Sequence, residues 1–343
     1  IRKNMILAIS ALIFSFILLY VSSENLFSHL MKIASYLGWR EFIISFFLMA
    51  LLASLPNLWI GIISAFQGIP ILSLGDITGN HLIVMTLGIG LATLFSQKGI
   101  PTNSRTIKNT ALFTFLSSLI LLLLMLDKNL SRLDGVILIL VLLIYLIWLF
   151  SKKERFVLNE KDKNNLNHYL DSQNHKNNHS LTINKEIHRF RSFLYSLLMV
   201  IVFGVLLSLA AYGIVYALKI ISSLFKFPLI LAGILISGVA NSLPEISFAI
   251  VSAKKKEDWL ILGDLLGSIF ISLTVVLSIV VLIHPINLEN DWQVSLVPRI
   301  LNTVILFIVY LLTLSGGVLS KKEGGLLILL YSVFIYLFLN SFI

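Results

Sequence analysis

Cysteine is absent from the chain, which excludes disulfides and thiolate metal sites. Charge is scarce. Asp, Glu, Lys and Arg make up 13% of the residues and hydrophobic side chains 57%, whereas a soluble domain carries about 25% charged residues. That shortage excludes an ordinary soluble fold and identifies an all-α polytopic membrane protein. Acids are fewer than bases, and the net charge is +9. A nucleic-acid partner does not follow from it, because the basic residues sit in short connections between apolar runs, where membrane orientation places them. Proline is rare as well, at 7 residues, and two of those interrupt apolar runs.

Between the connections lie ten segments near the length of about 20 apolar residues that a membrane crossing needs. They run over 5–22, 41–66, 71–96, 107–126, 133–150, 192–218, 228–253, 258–284, 294–314 and 324–342. Arg2-Lys3 ahead of an apolar run has the look of a signal peptide. However, Met5 to Val21 is long for such a run and no A-x-A site follows, so it reads as a retained helix. The one long polar stretch, 151–191, is rich in Asn and Lys and contains His168, His175, His179 and His188. It reads as a flexible linker. His175 and His179 have a spacing that would suit a metal only if that stretch were helical.

The linker divides the chain into 1–150 and 192–343, with five segments in each. An odd number per half forces the second half to enter the membrane from the opposite side. The expected architecture is therefore ten transmembrane helices as two inverted five-helix repeats, with a site at the repeat interface near the midplane. If 151–191 is cytoplasmic, 19 Lys and Arg fall on that side and 7 on the other. This predicts a multi-pass plasma-membrane protein with its N-terminus outside.

The two halves share a stretch. Ser54-Leu55-Pro56-Asn57, followed by Gly75-Asp76-Ile77-Thr78-Gly79, matches Ser242-Leu243-Pro244-Glu245, followed by Gly263-Asp264-Leu265-Leu266-Gly267. The offset is 188 residues throughout, and 11 of the 26 aligned positions are identical. Glu245 lies nine residues before Lys254 in an apolar run. An acid at that depth costs several kcal/mol and marks a functional site. A mid-helix proline frees the carbonyl four residues back, here at Leu52 and Ala240, and such carbonyls are tolerated where they line a cavity or meet a cation. Asp76 and Asp264 are read as lying in turns that open the following helices. Gly75/Gly79 and Gly263/Gly267 each lie on one helix face and permit close approach. Asn57, Ser54, Ser242, Asn241, Asn80 and Ser268 add neutral oxygens, and no Lys or Arg lies in these stretches. Hard oxygen ligands with concentrated negative charge suit Ca²⁺, Na⁺ or protons rather than a soft metal. Three acids cannot all stay ionised when no cation is bound, and that is the chemistry of exchange.

At these residues the sequence resembles the cation/Ca²⁺ exchanger superfamily, the Na⁺/Ca²⁺ and H⁺/Ca²⁺ antiporters. Members carry two alpha-repeats of the form G-T-S-x-P-E followed by G-N/D-x-x-G-S-N. Here the first repeat covers about 40–96 and the second about 228–284. Ser131-Arg132-Leu133-Asp134-Gly135 also looks family-like. The resemblance implies an alternating-access antiporter that exports Ca²⁺ or a similar divalent against Na⁺ or H⁺. It implies Glu245 and Asn57 as central ion ligands, with Asp264 and Asp76 beside them, and no cofactor. Asn57 stands where the family has Glu, and Asp76 where many members have Asn. Ala53 and Asn241 replace the usual Thr, while His81 and Ile269 replace the last Asn of the motif. His81 lies round the helix from Asp76 and is read as packing. Two rival readings follow. One is a non-transporting relative, motivated by Asn57. The other is an intramembrane aspartyl protease, which lacks support because neither Tyr-Asp nor Gly-x-Gly-Asp occurs.

With no native cysteine, single-cysteine variants report topology cleanly. In right-side-out vesicles, Lys226→Cys should react with an impermeant maleimide, whereas Lys255→Cys should react only after permeabilisation. The reverse pattern would invert the orientation.

Overall fold

Backbone N–H and C=O groups in hydrocarbon must be satisfied within their own segment, and helices account for almost all of the described chain. The computed structural model describes residues 2–36, 49–150 and 182–340. In the first half, α1 is Arg2–Tyr36, α2 Met49–Ala53, α3 Leu55–Phe66, α4 Ile71–Phe95, α5 Arg105–Leu124 and α6 Arg132–Phe150. In the second half, α7 is Thr182–Phe225, α8 Leu229–Lys254, α9 spans 258–283, α10 is Trp292–Leu314 and α11 Lys321–Asn340. Each of the ten expected segments is helical where it is described. Among the described residues, eight helices are long and apolar enough to cross a membrane; α2–α3 and α11 account for the other two segments.

Two ribbons of two residues per strand establish the relation of the halves. β1 (Ile100–Pro101) leads into α5 and β2 (Asn129–Leu130) follows it; β3 (Ile286–Asn287) leads into α10 and β4 (Val318–Leu319) follows it. β1 pairs antiparallel with β4, and β2 with β3. α5 and α10, which pack together, are thereby antiparallel. The corresponding strands β1 and β3 lie at opposite ends of the bundle, so the second half is inverted against the first. The helix starts repeat as well. Ser131 N–H and Oγ donate to Asp134 Oδ2 at 2.7 and 2.8 Å, and Ser320 N–H and Oγ donate to Glu323 Oε2 at the same distances. Glu323 N–H also donates to Ser320 Oγ at 3.4 Å, which completes a capping box; Asp134 makes the matching carboxylate half at Ser131, which accounts for the Ser131–Gly135 motif.

The crossings at the centre depend on small residues. A methyl group on Gly238 of α8 would stand 2.8 Å from Gly79 Cα and 2.7 Å from the Asn80 nitrogen of α4. At the inverted counterpart, a methyl group on Gly267 of α9 would stand 2.7 Å from Ala50 Cβ of α2. α1 and α7 form a separate layer. Ala8, Leu12, Leu19, Ala210, Ala211, Ile214 and Ala217 are buried between them, and the pair rests on Ile60 and Leu72. The outer stripe of α7, Leu198, Ile201, Val205 and Leu209, is more than half exposed, as a lipid-facing surface requires.

Three expectations change. Asp76 and Asp264 lie inside α4 and α9, not in turns that open them. The helices start after Pro70 and at Asp258, where the apolar runs 71–96 and 258–284 begin, and a glycine pair at i, i+4 continues a membrane helix where another helix packs on it. The polar linker does not extend to residue 191, because α7 begins at Thr182; residues 151–181, including His168, His175 and His179, lie outside the described residues, as does 41–48. α1 extends to Tyr36 rather than ending near 22.

Gly238→Ala should destabilise the detergent-solubilised protein by about 1–3 kcal/mol through overpacking, read as a lower Tm. Gly204→Ala, where nothing lies within 4 Å, should leave Tm unchanged or slightly raised.

Candidate cation site

The glycine crossing places the α8 polar residues directly against α4. Ser237 and Asn241, one turn apart on α8, both face Asp76. Ser237 Oγ donates to Asp76 Oδ1 at 2.5 Å, and Asn241 Nδ2 donates to the same oxygen at 2.8 Å. The second hydrogen of Asn241 Nδ2 goes to Asn57 Oδ1 of α3 at 2.9 Å, and Asn57 Nδ2 reaches Ser272 Oγ of α9 at 3.4 Å. One amide therefore ties both repeats together. Asn80 of α4 and Ser268 of α9 reach toward Glu245, which also lies in the electrostatic field of Asp264 and, more weakly, Asp76.

All of these side chains are buried, Asp76 completely and Asp264 down to 9% exposure. The donors do not cover the acceptors. Asp76 Oδ2, Asn80 Oδ1, Asn241 Oδ1 and Glu245 Oε2 are buried oxygens without a hydrogen-bond partner. No basic side chain forms an ion pair with Asp76, Glu245 or Asp264 among the described residues. An unsatisfied buried acceptor costs about 1–3 kcal/mol, and more if charged. Four buried acceptors of this kind, on neighbouring turns of α4 and α8, call for a cation or protons.

The predicted residues differ in their places. Asn57, Asp76 and Asn241 are joined by hydrogen bonds, and Glu245, Asn80, Ser268 and Asp264 gather beside them. Ser54 takes a structural part, with Oγ directed at the Ala50 and Ser268 carbonyls at 2.9 and 3.0 Å. Ser242 Oγ returns to Val239 of its own helix at 2.7 Å. The described residues contain no preassembled group of three or more acids or histidines that could hold a metal ion. Ser237 and Ser272 were not anticipated. Ser237 lies one turn before Asn241 and was identifiable by that spacing, but its repeat counterpart is Met49, so comparison of the halves passes over it.

The chain matches the sodium/calcium exchanger protein family over residues 7–151 and 195–340. It belongs to that family. Accordingly it is a multi-pass membrane protein of an ion-exchanger family, and its work is transport rather than enzymatic catalysis. An uncharacterized membrane protein of Methanocaldococcus jannaschii is 25% identical over 272 residues, covering 77% of this chain and 78% of the relative. The inner membrane protein YrbG of Escherichia coli is 21% identical over 304 residues, covering 87% and 88%. Among solved structures, the H⁺/Ca²⁺ exchanger CAX superposes with a TM-score of 0.73 at 17% identity, covering 97% of this chain and 87% of its own. The sodium-calcium exchanger NCX_Mj, soaked with Na⁺ and Sr²⁺, gives 0.61 at 20% identity, covering 97% and 99%. These likenesses support the exchanger fold.

Asn241→Leu removes two donors at once and should cost about 1–3 kcal/mol of stability, measured by thermal unfolding. Ser242→Ala, which loses only a bond within its own helix, should stay within roughly 0.5 kcal/mol of the parent.

Proposed function

We propose that this exchanger-family protein exports Ca²⁺, or a similar divalent cation, against Na⁺ or H⁺ by alternating access. The observation that carries the reading is the group of four donorless oxygens between α4 and α8, on Asp76, Asn80, Asn241 and Glu245. Buried carboxylate and amide oxygens at the crossing of two inverted repeats suit a hard cation. Glu245 and Asp264 supply the main charge for the divalent. Asp76, held by Ser237 and Asn241, supplies the third carboxylate, and Asn57, Asn80 and Ser268 add neutral oxygens. When the divalent leaves, the unpaired acids take up protons or Na⁺, since like charges so close in a dry interior cannot all remain ionised.

The layer of α1 and α7 is the moving part. It has its own apolar core and meets the rest through α3 and the starts of α4 and α8, away from the hydrogen bonds of the site, so it slides without breaking them. All ten helical segments cross the plasma membrane, with the N-terminus outside and 151–181 in the cytoplasm. Residues 1–150 form the first repeat and 192–343 the second.

In everted vesicles, ⁴⁵Ca²⁺ uptake should follow an imposed Na⁺ or pH gradient, each tested separately. Glu245→Gln should lower the affinity for Ca²⁺ by roughly 10- to 100-fold, the loss expected for one charged ligand. Uptake undiminished in that variant would remove Glu245 from the mechanism. If neither gradient drives uptake and calorimetry finds no Ca²⁺ binding, the chain is a non-transporting relative.

A further inference from the structure

Behind the cation site lies a second polar cluster of the opposite sign. Arg299 of α10 is fully buried, yet among the described residues it has no carboxylate partner. Its guanidinium touches only two hydroxyls, Nη1 at 3.3 Å from Thr78 Oγ1 and Nη2 at 3.4 Å from Ser118 Oγ. Both contacts are long for a charged donor, which normally approaches to about 2.7–2.9 Å. Nε has no partner at all. One turn along the same face of α10, Asn302 is fully buried with neither amide atom paired. One turn beyond Thr78 on α4, His81 is fully buried, with both ring nitrogens unpaired, and lies in the field of Arg299.

The hydroxyl protons here are already committed. Thr78 Oγ1 donates to Leu74 O at 2.7 Å and Thr303 Oγ1 to Arg299 O at 3.0 Å, so Ser118, 2.8 Å from Thr303 Oγ1, donates to that oxygen. Thr78 and Ser118 can therefore only accept from Arg299. The unspent groups are the guanidinium N–H bonds, the Asn302 amide and the His81 ring, which are predominantly donors. Isolated burial of a cation costs several kcal/mol even after relaxation, and Arg does not escape it by losing its proton. The acids of the cation site do not relieve the charge. The groups acting on Asp76 and Glu245 are one another's neighbours on α4, α8 and α9, and Thr78 is two residues, about 200°, round the helix from Asp76.

We propose that Arg299, Asn302 and His81 bind a small monovalent anion of the size of chloride between α4 and α10. The anion completes the guanidinium and cancels a positive charge that would otherwise stand one helix width from the cation path. The assignment is independent of which cations the protein moves.

The test uses the full purified chain in detergent, with unfolding followed by tryptophan fluorescence. Chloride or bromide is titrated against gluconate at constant Na⁺ and ionic strength. Wild type should show a saturable rise in Tm of about 2 °C or more. Arg299→Met should show no halide dependence and should melt in gluconate at or above the wild type, since it removes an unpaired buried charge. A wild-type Tm indifferent to halide, as for a cluster filled by water, would overturn the proposal, as would a halide effect undiminished in Arg299→Met. If that variant does not fold, bromide-soaked wild-type crystals decide the matter. An anomalous peak within roughly 3.5 Å of the guanidinium supports the site, and its absence overturns it.

Discussion

Three carboxylates sit in a membrane interior without a basic partner among the described residues, and much of the central structure answers that constraint. A lone acid there costs several kcal/mol, so its surroundings must substitute for water. On the α4 side they do so with Ser237 and Asn241, whose donors converge on one oxygen of Asp76. Those donors reach because α8 crosses α4 at backbone contact, and backbone contact is available because Gly75, Gly79, Gly233 and Gly238 carry no side chain there. The glycines and the acids are one device: the first set the distance at which the second become tolerable.

The substitution for water is incomplete, and unevenly so. Asp76 is held by two neutral donors. Asp264 is given no such pair of donors, and the residue at the first-repeat position that matches Asn241 is Ala53, whose methyl group donates nothing. The backbone frame obeys the inverted symmetry in its strand pairs, helix starts and small-residue crossings, while the side chains around the acids do not. The inequality between the two acids is written in single side chains upon an equal frame.

The sequence reveals whatever both halves retain. The paired Ser-Leu-Pro and Gly-Asp stretches, the inverted order of helices and most of the oxygen-bearing residues follow from periodicity and from the 188-residue offset. What occurs once is invisible to that comparison. Ser237 aligns with Met49, and Arg299 aligns with Ala111. Asp76 and Asp264 fall inside the apolar runs 71–96 and 258–284, yet their local Gly-Asp stretches read as turns. Gly-Asp is a turn signal in water, where exposed backbone finds partners, but in an apolar interior the helix is kept because breaking it would strand N–H and C=O groups. The length of α1 was hidden because polar residues such as Ser22, Ser23, Glu24 and Asn25 end an apolar run without ending a helix. Ser22 is buried and Asn25 donates to its own backbone at Val21.

Both α4 and α9 contain a π-helical turn, at Val84–Gly88 and Ser272–Val276. The two lie at the same 188-residue offset as the repeated motifs. Such a turn is a local widening by one residue, energetically poorer than the regular helix around it and tolerated mainly at functional places. Two copies in register place the widening in the frame that both halves share, next to the Gly-Asp stretch of each. In each half the helix that carries the aspartate therefore departs from regular geometry at the matching point, whereas Ser237, Asn241 and Arg299 have no like residue at the matching position of the other half.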